Sequence, residues 1–378
     1  MLAAGTTAQT GAAIFGIGLP VLAPSLQEQY ALTIGEVGLL LAAPWIGGTA
    51  TLLLWGLAAD RFGERIALAL GLGASAACLA AAAFATSFGD LLGLLAIAGA
   101  AGSSVQSASG RAVMQWFESS ERGLALGIRQ TSIPLGGLIA ALVLPTLAAA
   151  GGTEAAFLFL AAASAAGAVV GAVVLRRGRA VSDGIEVDSV AQTLRDARLW
   201  RLCLGSGVYL FAQTAVIGFG VLFLHEEHGL SEQSAALVLA AAQVLAAAFR
   251  IGAGWWSDLL GSRIVPLRRV GLAVAGSMVA TAMLAGGPLR LLVPVVVVAG
   301  GLTMGWNGLS FTAAAELAGP ARSGAAIGFQ QTVLSGIGVA APVLFAATVS
   351  AGSWSLAFAV AALFPLAGWY VLRPLRDY

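Results

Sequence analysis

Apolar runs long enough to cross a bilayer, separated by short charged or glycine-rich turns, fill this chain almost from end to end. About 20 apolar residues cross the hydrocarbon core as a helix, and inside that core only helices and closed barrels satisfy their own backbone groups. Hydrophobic residues make up 59% of the chain and charged residues 10%, against roughly 25% charged in a soluble domain. The bilayer is therefore the solvent, and 378 residues leave room for about twelve helices.

Read in order, the runs predict spans over Ala4–Leu26, Gly35–Leu57, Arg65–Thr86, Leu91–Trp116, Arg122–Ala149 and Glu154–Leu175, then Leu199–Leu224, Ser231–Trp255, Val265–Ala285, Leu289–Leu317, Ser323–Val349 and Trp354–Leu372. Residues 1–176 form one six-helix unit and 199–378 the other. Between them 177–198, with Arg177, Arg179, Asp183, Glu186 and Asp188, is too charged to span and serves as a cytoplasmic linker. The end of that linker, Thr193–Trp200, predicts a short amphipathic helix on the membrane surface. Pro20, Pro44, Pro134, Pro145, Pro294 and Pro342 fall inside spans and predict kinks. The first segment lacks a basic n-region, so it reads as a span rather than a cleaved signal; with no tail ahead of it, the natural start is expected upstream.

The halves echo one another. Gly56, Asp60, Gly63 and Arg65 recur at the same spacing as Gly254, Asp258, Gly261 and Arg263, each set lying in a turn between two spans. Gln9 and Thr10 reappear as Gln213 and Thr214, and Gly127, Gln130, Thr131 and Gly137 as Gly328, Gln331, Thr332 and Gly338, all offset by about 200 residues. This is the parallel-repeat plan that leaves a cavity between two bundles. Orientation follows from the 19 basic residues, all arginine. All but Arg111, Arg129, Arg250 and Arg290 lie in turns after even-numbered spans, in the linker or in the C-terminal tail. The positive-inside rule then puts both termini and both charged turns in the cytoplasm.

The turn from Gly56 to Arg65, and Trp116-Phe117 followed by Arg122-Gly123, resemble the signature turn and the helix-four exit of the major facilitator superfamily. The resemblance covers nearly the whole chain. It implies an all-α membrane protein with twelve transmembrane helices in two pseudo-twofold-related six-helix bundles. It also implies that Asp60 meets the N-terminal end of the eleventh helix and a nearby arginine, and that Asp258 does the same more weakly against the fifth helix. Gly56, Asp60, Arg61, Gly63, Arg65, Arg111, Asp258 and Arg263 are the expected gating residues. Two departures argue against a drug and proton antiporter: Leu94–Gly99 lacks the helix-four arginine of such exporters, and Pro134, Gly136 and Gly137 only partly echo their helix-five pattern.

Arg129 lies about two turns into the fifth span, where a guanidinium costs roughly 2.5–3.5 kcal/mol on insertion scales. With no carboxylate near the midplane of any span, its natural partner is an anion brought in from outside; the bland alternative has it snorkel to the rim or pair with Glu118 or Glu121. Arg111 reads as a gate and Arg250 as structural. Amides in hydrocarbon must face one another or a wet cavity. Gln9, Gln106, Gln130, Gln213, Asn307, Gln330 and Gln331 are therefore candidate substrate ligands beside Arg129, with interhelical bonding as the competing role, and Gln243 belongs to the same amide group. Trp45, Tyr209 and Trp306 could wall the cavity.

Cys78 and Cys203 have no metal-ligand spacing and read as core residues. His225-Glu226-Glu227-His228 lacks HExxH spacing and reads as a solvated turn. No nucleotide loop, nucleophile elbow or catalytic carboxylate pair is visible, so neither an enzyme nor a cofactor is expected. Net charge near zero and the lack of a basic stripe exclude nucleic acid as a partner. The expected protein is a monomeric secondary transporter in the cytoplasmic membrane. It moves a small organic anion by alternating access, as a uniporter or with a co-transported proton. The alternatives are export of an amphipathic metabolite or drug, and a receptor or scaffold.

Overall fold

A computed structural model describes residues 2–106, 130–174, 192–319 and 322–375, apart from the side chains of residues 2–6, 8, 60, 64 and 174. Nine helices among the described residues are long and apolar enough to cross a membrane, or eleven when each of two bent pairs counts as one span. One of these, Ser132–Val174, is two helices joined at Gly151 and Gly152, whose φ/ψ values leave the helical region. Dividing it there gives the twelve spans expected from the apolar runs.

The first half comprises α1 (Leu2–Val21, continued by Ala23–Tyr30), α2 (Ile34–Phe62), α3 (Glu64–Ala82), α4 (Phe88–Gly102), α5 (132–150) and α6 (153–174). The second comprises α7 (Ala197–Gly207 through Gly220–His228), α8 (Glu232–Leu260), α9 (Ile264–Leu284), α10 (Leu289–Thr303 and Trp306–Ala318), α11 (Ser323–Ala351) and α12 (Trp354–Val371). On the face away from the termini, hydroxyl side chains cap α2, α4, α8 and α12. Thr33 forms a capping box with Glu36, and Ser87, Ser231 and Ser353 each accept a backbone N–H three residues on. These caps satisfy donors that would otherwise be orphaned at the membrane edge.

Several spans are bent or broken. α1 bends by 56° at Leu22 and α7 by 47° at Phe219, whose repeat partner in α1 is Phe15, so the two bends fall about two turns apart in the repeat. In α1 the bend precedes Pro24. In α7 it follows a π-helical turn, Thr214–Gly218, and falls at Phe219 between two glycines. The helix ladder of α5 is interrupted at Thr131, one turn before Pro134, which has no N–H to give to the Gln130 carbonyl. α4 breaks at Ser103 and α10 at Met304 and Gly305. The expected surface helix at Thr193–Trp200 is instead a helical turn over 192–195, ending where Asp196 caps α7. Trp200 Nε1 donates to the Leu194 carbonyl at 2.8 Å and its ring meets Phe329 of α11 edge-on, so this stretch folds onto the bundle.

The halves share a core on one side only. A single apolar cluster runs from Ile14, Leu40 and Leu144 in the first half to Val216, Phe223 and Phe345 in the second, on the face away from the termini. Towards the termini the described core divides. Ala59, Leu68, Leu72 and Val105 form a cluster of the first half, and Leu202, Tyr209, Trp306 and Leu334 belong to one of the second. α2 packs on α11 and α5 on α8. At the far rim Ser25 Oγ donates to Glu232 Oε2 across the halves. A Cβ on Gly38 would sit 2.6 Å from Ala346 Cβ and 2.9 Å from the Pro342 carbonyl oxygen, so α2 and α11 touch backbone to backbone there.

Candidate functional site

A polar layer lies beside the breaks of α5 and α10 and the π-helical turn of α7. In the first half Gln9 of α1 and Gln130, just ahead of α5, are both buried, and Gln9 Nε2 faces Gln130 Oε1 at 3.5 Å. Gln9 Oε1 has no partner among the described residues. In the second half Asn307 Nδ2 faces Gln213 Oε1 at 3.4 Å. Gln213 is presented at the start of the π-helical turn of α7 and Asn307 just beyond the break of α10. Each half thus holds one long amide contact, and Gln9 and Gln213 are repeat-related.

α5 and α8 cross antiparallel and in register. Gly137 lies against Gln243, whose carboxamide carbon would be 2.7 Å from a Cβ at that position. Gln243 is fully buried, and neither of its amide atoms is hydrogen-bonded among the described residues. Two turns along, Arg250 lies opposite Gln130. Its Nη1 donates to the Gln130 carbonyl at 2.7 Å and its Nε to the Met304 carbonyl at 2.9 Å. These acceptors sit at the breaks of α5 and α10, so one side chain serves a break in each half. Arg250 is 9% exposed and its Nη2 has no partner among the described residues. It lies ten residues from Leu260 at the end of α8, about 15 Å along the axis and so near the bilayer midplane.

The other expected ligands separate. Gln330 is fully buried and donates to Ser310 Oγ, which bonds Ser206 Oγ at 2.6 Å, a chain tying α7, α10 and α11 together. Gln331, one residue on, is half-buried, and Gln106 is exposed at the end of the described part of α4. Arg129 and Arg111 lie outside the described residues. Tyr209 and Trp306 are fully buried and meet edge-on at 5.9 Å, while the Trp45 ring lies against Gly338 across the α2–α11 contact.

In the charged turns, Gly63 has φ +88° and Gly261 φ +59°, conformations that L side chains rarely adopt. Among the described residues no atom lies within 4 Å of a Cβ placed at Gly56 or Gly63. Arg61 is exposed, its guanidinium 5.5 Å from the Phe62 ring centroid, and Arg65 is exposed too. The Asp60 side chain is outside the description. Asp258 pairs within its own half, with Arg263 Nη1 at 2.5 Å, and Arg263 also reaches Glu316 of α10 at 3.2 Å. Partial burial works against the Arg263 charge, yet the two carboxylates hold its pKa above the ordinary value. The start of α5, the expected partner of Asp258, lies outside the described residues. In the His225–His228 turn, His225 Nδ1 meets the Leu230 carbonyl and His228 Nε2 the Ala285 carbonyl, both at 2.7 Å.

Twelve membrane helices in two bundles, joined across one rim with polar side chains held at mid-depth, make a membrane transport protein. The chain belongs to the major facilitator superfamily, whose family model matches residues 4–342; it is a multi-pass transporter, not an enzyme. It is 33% identical over 367 residues to an uncharacterized MFS-type transporter of Mycobacterium tuberculosis, covering 96% of this chain and 82% of that one. Shorter matches are to the hexuronate transporter of Bacillus subtilis, 25% over 142 residues (38% and 34% of the two chains), and to a probable sulfoacetate transporter of Cupriavidus necator, 31% over 147 residues (39% and 34%). A solved bacterial homolog of the human lysosomal transporter Spinster, in an inward-facing and unoccupied conformation, shares the fold. Its TM-score is 0.76 at 17% identity, with 99% of this chain and 94% of that one covered.

Proposed function

We propose that the protein carries a small organic anion, such as a carboxylate, through the cytoplasmic membrane by alternating access. Both termini lie in the cytoplasm, and the solute site lies at the mid-depth polar layer. The observation that carries this reading is the pair of long amide contacts, Gln9 with Gln130 and Gln213 with Asn307, one in each half at the level where the shared core ends. Polar side chains buried at this depth with bonding capacity to spare suit a polar guest. Arg129, next to Gln130, supplies the charge, with Gln106 and Gln331 as further candidate ligands, whereas Gln330 is taken up by Ser310. Two partial relatives carry names of anion transporters, hexuronate and sulfoacetate, which supports the sign of the guest.

The shared core and the Ser25–Glu232 contact close the far rim in this arrangement. Asp60, Arg61, Arg65 and Arg111 with the turn glycines Gly56 and Gly63, and Asp258 with Arg263, form the opposing gate. The carboxylates of the described spans sit at helix ends, Glu36 and Glu232 at the far rim and Asp258 and Glu316 at the near one. That favours uniport, or symport in which the guest brings its own proton. A thermal-shift screen of the purified protein against glucuronate, sulfoacetate, neutral sugars and organic amines tests the sign, because a ligand stabilises the state it binds. Stabilisation by the anions supports the reading; stabilisation only by amines or neutral solutes refutes it.

A further inference from the structure

We propose that Arg250 is a second anion-binding group of this transporter, and that the guest's oxygens take the guanidinium away from α5. The inference rests on the reading of the site as one for anions. A structural arginine would be expected to have every N–H bonded, yet Nη2 of Arg250 is buried without a partner among the described residues while Nε and Nη1 are held by carbonyls. Two neutral acceptors do not balance a full charge at the bilayer midplane, and a carboxylate or sulfonate would.

The repeat shows that capping a break needs no cation. In the first half the break of α4 at Ser103 is served by Thr51 Oγ1 and Trp55 Nε1 of α2, both donating to the Ala100 carbonyl at 2.7 Å. α8 is the repeat partner of α2, and there an arginine performs the same task at the Met304 carbonyl. The guanidinium does something further with its remaining N–H groups. One of them reaches Gln130 in the other half, at a carbonyl that Pro134 has left without a helical donor. An anion that engages Nη1 and Nη2 together replaces that bond. Binding thereby loosens one polar tie between α5 and α8, one of the two helix pairs along which the halves meet.

The test is isothermal titration of the full-length protein in detergent with glucuronate and with sulfoacetate, with glucose as the neutral control. Arg250→Gln is expected to raise the Kd for the anion at least tenfold; should it fail to fold, Arg250→Lys, which keeps the charge but loses the fork, is expected to raise it several-fold. Pro134→Ala returns a backbone donor to the Gln130 carbonyl, frees Nη1 from its competitor, and is expected to lower the Kd. An unchanged Kd in the Arg250 variant, or an unchanged or raised one in Pro134→Ala, overturns the inference. If Arg129→Gln loses binding while Arg250→Gln keeps it, this inference falls and the anion reading stands; a wild-type protein that binds neither anion overturns both.

Discussion

Gly38 offers the most direct handle on the two-state behaviour that alternating access requires. Its α-carbon faces α11 so closely that the methyl of Gly38→Ala would lie 2.6 Å from Ala346 Cβ and 2.9 Å from the Pro342 oxygen, well inside ordinary contact at about 3.5–4.0 Å. Backbone must move to make room, and overpacking of this kind costs about 1–3 kcal/mol. The cost falls on the state with the far rim closed, since α2 and α11 separate there in the alternative state. The equilibrium should then shift about 5–150-fold towards the far-open form. Leu41→Cys, in a Cys78→Ser and Cys203→Ser background, reports the change: Leu41 is buried and faces Gly218 of α7 across the closed interface. A membrane-impermeant maleimide applied from that side should label it faster by a factor in the same range. Unchanged labelling alongside a lowered melting temperature would show that the α2–α11 contact is permanent, and the rocking argument would fail.

The two turn glycines should differ. Gly63→Ala, at φ +88° and ψ +154°, should cost about 1–3 kcal/mol, whereas Gly261→Ala, in the left-handed helical region, should cost about 1 kcal/mol and Gly261→Asn less; thermal melts that rank them the other way contradict the backbone argument. Gln330→Leu removes a buried donor to Ser310 and should lower stability by about 1 kcal/mol while leaving the affinity for anions unchanged. A loss of affinity at constant stability would move Gln330 from the interhelical network into the guest's shell.

Much of this architecture was legible because the bilayer makes sequence unusually explicit. Runs of apolar residues gave twelve spans, and the repeated glycine, aspartate and arginine spacing marked the corresponding turns. Repeat reasoning also singled out Gln9 and Gln213, which stand in the two amide contacts. It was less informative where a neighbour two helices away decides the outcome. Gln330 and Gln331 are adjacent letters, but about 100° of helix rotation separates them, and only the first is sealed against Ser310. Arg250 read as structural because its apolar flanks resemble any packed helix. What distinguishes it, the helix break at Met304 and the carbonyl freed by Pro134, lies on other spans. The π-helical turn of α7 has no local marker beyond the glycines that follow it. At Gly63 the backbone demand, a φ of +88°, is not visible in the spacing of the turn.

Anion exchange across a membrane tests the central claim most directly. Proteoliposomes loaded with unlabelled glucuronate or sulfoacetate and diluted into a trace of the same labelled anion should show a transient counterflow overshoot. Arg129→Ala should abolish it without loss of folded protein. Counterflow of neutral or cationic solutes with none for either anion, or full counterflow in the Arg129 variant, would contradict the account.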